Sequence, residues 1–207
     1  LAALLGECLF GRLVHDYVRV HPSRGFTLAR LGERLPEFVA DWGSPRRRAL
    51  LSDVATLEKA AAEAFDGEEA APMDPDALRG LPAPDWARVR LVPASTFRLA
   101  RVRPGAVDVL DAFLEERPLP ALAGRGRVEV VFYRKEFVVL RRTLGPFDGR
   151  LLAALAAGET LGGALETAAR AFPAGIPSAE ILSGWFTEWA TLGLFSGFVR
   201  VGGESRP

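Results

Sequence analysis

The stretch VEVVFYRKEFVVLRR, residues 128–142, is where the pattern of this chain changes from helical to strand-like. β-Branched and aromatic residues crowd both sides of Arg134-Lys135, which predicts a tight hairpin covered on one or both faces. Helical signals resume after it. Residues from Phe147 to Ala157 predict a helix stopped at Gly158, those from Leu161 to Phe172 a helix capped by Thr160, and those from Ala179 to Leu192 a helix capped by Ser178 and stopped at Gly193. The closing run LFSGFVRV, residues 194–201, reads as a third strand for the hairpin.

Upstream the chain is predicted to be mainly helical. Leu1, Leu4, Leu5, Leu9, Leu13, Tyr17 and Val20 recur at three- and four-residue steps and predict a core helix ending at His21-Pro22. Ser44-Pro45 announces a second, with Leu50, Val54, Leu57, Ala61 and Phe65 on its inner face. Between them, TLARLGERLPEFVADWG predicts short helical pieces broken at Gly32 and Pro36. Prolines from Pro72 to Pro104 allow only short elements, among them a possible strand in RVRLVPAS, residues 88–95. Val107, Leu110 and Leu114 mark one more helix. The Pro- and Gly-rich segment about residues 117–126 then predicts a domain boundary. The expectation is thus an α+β chain: residues 1–120 as an irregular helical bundle, and 121–207 as a three-stranded antiparallel sheet with three helices, winged-helix-like or peptide-recognition-element-like.

Composition narrows the function. Of 207 residues 49% are hydrophobic and 25% charged, ample for packed cores. Twenty-six basic side chains balance twenty-six acidic ones, so the bulk positive field that draws proteins to phosphate backbones is missing and nucleic acid is disfavoured as a partner. Cys8 stands alone, which fits a reducing, cytoplasmic setting, and it reads as a small buried apolar residue. The opening LAALLGECLFGRLVHDYV is too often interrupted by charge to span a bilayer, and without an initiator Met the native beginning is expected to be missing.

Catalytic chemistry finds no foothold. His15 and His21, the two imidazoles, sit in no metal-ligand or nucleophile motif and read as helix-surface and helix-end residues. Asp66, Glu68 and Glu69 read as a solvated loop, and neither GPFDGR nor AGETLGGA has phosphate-loop spacing. The expectation is a non-enzyme with no cofactor and no metal of its own.

Two features suggest binding instead. Arg46, Arg47 and Arg48 put three cations in a helix's first turn, where the dipole disfavours them, so an acidic compensator is expected from within the protein or from a partner. An open sheet leaves edges that can accept an extended peptide. Trp185, Phe186, Trp189, Phe195 and Phe198 could line such a groove, although core packing explains aromatics at these spacings equally simply.

Several runs resemble a known bacterial family. These are DYVRVHPSRGFTLARLGERLPEFVADW, LLSDVATLEKAAAEAF, PMDPDALRGLPAPDWARVRLVPAS, VVFYRKEFVVLRRTLGPFDGRLLAALAAGETLGGALETA and WFTEWATLGLF. Together they resemble the HvfC/BufC/MbnC-type peptide-modification chaperones, a family long labelled a DNA-binding domain. The chain departs from the family pattern in lacking a further N-terminal helical stretch and in having Val92-Pro93 where the family often has His-Pro.

The resemblance implies a helical domain joined to one similar to the recognition element of ribosomal-peptide maturation systems. It further implies a TIM-barrel, multinuclear non-haem iron oxidase as partner, with the iron held by that partner, and a precursor peptide whose leader this chain captures for cysteine modification. Peptide contacts are expected at the Val128–Arg142 hairpin or the Phe195–Val201 strand, through Val128, Val130, Val139, Trp185, Trp189, Phe195 and Phe198. Oxidase contacts are expected at His21, Ser23, Arg24, Arg46, Arg47 and Arg48. The alternative is a winged-helix transcription regulator that binds DNA through basic residues near Arg134, Arg141 and Arg142.

Overall fold

A computed structural model describes the chain except residues 24–29, 70, 72, 75, 77–79, 121–125, 173–174 and 202–207, and the side chains of 46, 83 and 84. Along the chain run α1 (Ala2–Val20), α2 (Leu35–Asp41), α3 (Pro45–Asp66), α4 (Ala83–Trp86), β1 (Val89–Pro93), β2 (Arg98–Val102), α5 (Pro104–Leu114), β3 (Val128–Lys135), β4 (Val138–Thr143), α6 (Pro146–Ala156), α7 (Leu161–Ala171), α8 (Ala179–Thr191) and β5 (Phe195–Arg200). The fold is α+β, with two small antiparallel sheets, one of order β1-β5 and one of order β2-β3-β4. No described helix is long and apolar enough to cross a membrane.

Two compact units share the chain, and each is discontinuous: one comprises residues 1–66 and 100–128, the other 67–99 and 129–207. This differs from the division at residues 117–126 expected from proline and glycine content, part of which lies outside the described residues. Residues 67–99 group with the second unit because β1 pairs with β5, Leu91 opposite Phe198, and the Met73 N–H donates to the Phe195 carbonyl at 3.0 Å. The closing strand therefore does not join the hairpin. The hairpin's neighbour is β2, whose sequence RLARV alternates too many arginines to announce a strand.

In the first unit, α3 buries Leu51, Val54, Ala55, Leu57, Ala60 and Ala64. That stripe is shifted from the predicted one, so Ala64 faces inward and Phe65 is exposed. In α1 the predicted stripe is interrupted at Gly6, whose φ of 73° and ψ of 163° are non-helical. A helix that changes direction cannot carry one periodic face through the break. Leu13 and Tyr17 are buried, whereas Leu9, Val20 and Cys8 are exposed. Pro36 starts α2 rather than breaking it, because a proline in the first turn removes an N–H that no helical carbonyl would accept. The Ser52 hydroxyl donates to the Pro36 carbonyl at 2.9 Å, and the Trp42 indole N–H donates to Asp16 at 2.9 Å.

The second unit has one continuous core. Val89 and Leu91 of β1, Val131 and Tyr133 of β3, Leu151 and Leu155 of α6, Leu161 of α7, and Trp189 of α8 meet in it. The sequence-read caps hold: Thr160 accepts from the Gly163 N–H at 3.2 Å and Ser178 from the Ile181 N–H at 3.4 Å. Gly158 and Gly193 end their helices with φ of 85° and 70°, a conformation that costs a side-chain-bearing residue about 1 kcal/mol or more.

Candidate functional site

β4 is the site's foundation. It pairs with β3 in antiparallel register, Val130 opposite Thr143 and Phe132 opposite Arg141, and among the described residues has a strand on one side only. The Leu144 N–H donates to the Glu129 carbonyl at 2.9 Å, which fixes the phase of the ladder. Hydrogen-bonded and non-hydrogen-bonded pairs alternate in an antiparallel ladder. From that phase, Arg142/Val131, Leu140/Tyr133 and Val138/Lys135 are the bonded pairs, and the backbone N–H and C=O of Val139 and Thr143 point away from β3.

The hairpin turn lies at Glu136-Phe137, two residues beyond the polar pair that suggested it. Both residues take positive φ, 50° and 65°. This is the twist a two-residue hairpin needs, normally supplied by Asn-Gly. Arg134 and Lys135 instead extend β3. Phe137 is 76% exposed at the tip, followed by exposed Val138 and Leu140.

On the face carrying Leu140 and Val138, Arg142 forms an ion pair with Glu188 of α8. Ile181, Trp185 and Glu188 fall at helical steps on one side of α8. Ile181 is exposed, and Trp185 is half-buried, stacked on Trp189 with ring centroids 6.4 Å apart. The hydrogen bond that Arg142 donates to the Glu188 carboxylate raises the guanidinium pKa above its ordinary value. Burial raises the Tyr133 phenol, Glu188 reinforces the shift and Arg142 opposes it. Arg142 and Glu188 are both about two-fifths exposed, so their contact orients β4 relative to α8 more than it stabilises the fold.

The sequence-read peptide residues divide. Trp189 and Phe195 are 2% and 1% exposed, and Phe195 packs on Phe97 with centroids 6.2 Å apart. Val130 is likewise buried. These three are core side chains and cannot meet a ligand without repacking, since aromatics at helical and strand spacing serve packing first. Val139, Trp185 and Phe198 are half-buried, and Val128 opens β3 at the end of the first unit. The edge of β5 is already engaged at its start by the Met73 N–H. The sequence reading did not single out Phe137, Val138, Leu140 and Ile181. Locating the turn at Glu136-Phe137 is what exposes the first three.

Among the residues read as a partner interface, His21 caps α1 and packs its ring on Tyr17 and Phe38, at 5.2 and 6.0 Å between centroids. Ser23 is exposed, while Arg24 and the Arg46 side chain lie outside the described residues. Arg47 is exposed, and Arg48 donates from Nε to the Gly43 carbonyl at 3.0 Å. Among the described residues no carboxylate pairs with Arg47 or Arg48, and no group of three His, Cys, Asp or Glu could hold a metal ion. No protein-family model matches the chain, and no curated protein matches it.

Proposed function

We propose that this protein is a non-catalytic peptide-binding subunit that takes an extended segment onto the outer edge of β4. The supporting observation is the combination of outward backbone groups at Val139 and Thr143 with the exposed apolar fringe of Val138 and Leu140 on the same strand. A strand added there gains main-chain hydrogen bonds for affinity, while its alternate side chains meet the fringe for specificity. In line with the resemblance of the sequence, the segment is the leader of a ribosomally made precursor, and the reactive iron belongs to a multinuclear oxidase that docks on this chain.

Val139→Pro tests the edge. Its N–H points away from β3, so proline there removes no ladder bond, whereas Leu140→Pro breaks the pairing with Tyr133. Co-expressed with a multinuclear iron oxidase and a precursor peptide from a system of the family that the sequence resembles, the wild-type chain is expected to co-purify with both. Val139→Pro should bind the leader about tenfold more weakly with the melting temperature nearly unchanged. Equal leader affinity in wild type and Val139→Pro would reject strand addition at β4, and salt-sensitive retention of duplex DNA without leader binding would favour a winged-helix regulator.

A further inference from the structure

A cleft of about 460 Å³ opens in the first unit where α3 meets Arg103, at the start of α5, and Arg127, just before β3. Asp53 forms its floor and is buried. Its Oδ2 accepts from the Arg103 backbone N–H at 3.2 Å and from Arg103 Nη1 at 3.0 Å, while Oδ1 accepts from Arg127 Nη1 at 2.7 Å. Arg127 Nη1 also donates to the Arg101 carbonyl at 3.1 Å. One nitrogen of each guanidinium is thereby fixed, and Nε and Nη2 of both have no protein acceptor among the described residues. Arg48 borders the same cleft with no carboxylate partner among the described residues, and Ala40, Pro45 and Ala49 give it small apolar walls.

We propose that this cleft receives a carboxylate side chain from an acidic peptide segment of a partner protein. Three guanidiniums against one carboxylate leave an excess of two positive charges, enough to compensate one or two acidic side chains. Asp53 holds two of the planar forks in place before the ligand arrives, so little rotamer entropy remains to be lost on binding. A guanidinium with Nε and Nη2 open matches the two oxygens of a carboxylate. The apolar walls suit the methylenes of a glutamate, and a lone inorganic ion fills little of the volume. Duplex DNA is disfavoured, because the protein's charges balance and three clustered cations supply no extended positive track. The inference stands on the first unit alone and does not depend on what β4 binds.

Calorimetric titration of the full chain with a blocked hexaglutamate peptide at low salt tests it, with hexaglutamine, inorganic phosphate and a short DNA duplex as parallel probes. Hexaglutamate is expected to bind and hexaglutamine not to. Arg48→Gln, which leaves both ion pairs of Asp53 in place, and Arg127→Gln should each weaken binding about tenfold, with Arg127→Lys recovering only part of the loss. Arg48→Gln guards against the case in which Arg127→Gln fails to fold. Absence of hexaglutamate binding, or unchanged affinity in a folded Arg48→Gln, overturns the proposal. So does displacement of the peptide by equimolar phosphate or by the duplex.

Discussion

Tyr17 and Tyr133, the two tyrosines of the chain, both have phenols raised above the ordinary value of 10.0, chiefly by burial. The Tyr17 hydroxyl donates to the Leu31 carbonyl, and the Tyr133 ring lies in the core of the second unit. For a group whose folded pKa exceeds its unfolded one, the stabilisation is complete below the unfolded value and is lost as pH climbs through the folded value. Stability should therefore stay level with respect to these groups up to about pH 10 and fall above it. Tyrosinate absorbance should rise with a midpoint above 10.0 in the native protein and return to near 10.0 in concentrated urea. A native midpoint at the unfolded value would mean that neither ring is shielded. Residue-scale reading from sequence succeeded for polar side chains with local partners, such as Thr160 and Ser178, whose acceptor oxygens need only the next turn of helix. It failed for Trp189 and Phe195, because a buried and an exposed aromatic look the same until the neighbours are known.

At the scale of elements, the β3–β4 hairpin carries a local conflict. Glu136 and Phe137 occupy left-handed backbone conformations that each cost a side-chain-bearing residue about 1–2 kcal/mol. Glu136→Asn with Phe137→Gly should relieve this and stabilise the protein by about 1–2 kcal/mol in urea denaturation. If Phe137 belongs to the peptide-binding fringe, the same double variant should bind the leader more weakly; a gain in stability with full affinity would restrict the site to β4 and α8. The helices α6, α7 and α8 were legible because caps, stops and apolar spacing are all written within about twenty residues. The path of α1 was not, since a single glycine at position 6 diverts the helix while the apolar spacing reads straight through it. The turn was misplaced for a related reason: Arg134-Lys135 is polar, but the pair lies at the end of β3 where burial gives way to solvent, and a strand end accommodates it without bending.

For the whole molecule, the decisive fact is that neither unit is a continuous stretch of chain. Sequence could not disclose this, because β1 and β5 are individually ordinary strands and nothing in either specifies the other as its partner. A fragment spanning residues 121–207 keeps the hairpin and three helices but loses Val89, Leu91 and Phe97 from the core and β1 from the edge of β5. It should give poorly dispersed amide resonances and bind hydrophobic dyes, whereas residues 67–207 should retain the dispersion of the second unit. A well-folded 121–207 fragment would show that β1 is dispensable. The same threading bears on how the protein is made. Pro93 faces Phe195 in the finished ladder, so β1 leaves the ribosome roughly 100 residues ahead of its mate, an interval of about 5–20 s at ordinary elongation rates. Throughout that wait the nascent chain carries an apolar strand with nothing to bond, which makes this protein a natural client for a holdase during synthesis and a poor candidate for rapid overproduction.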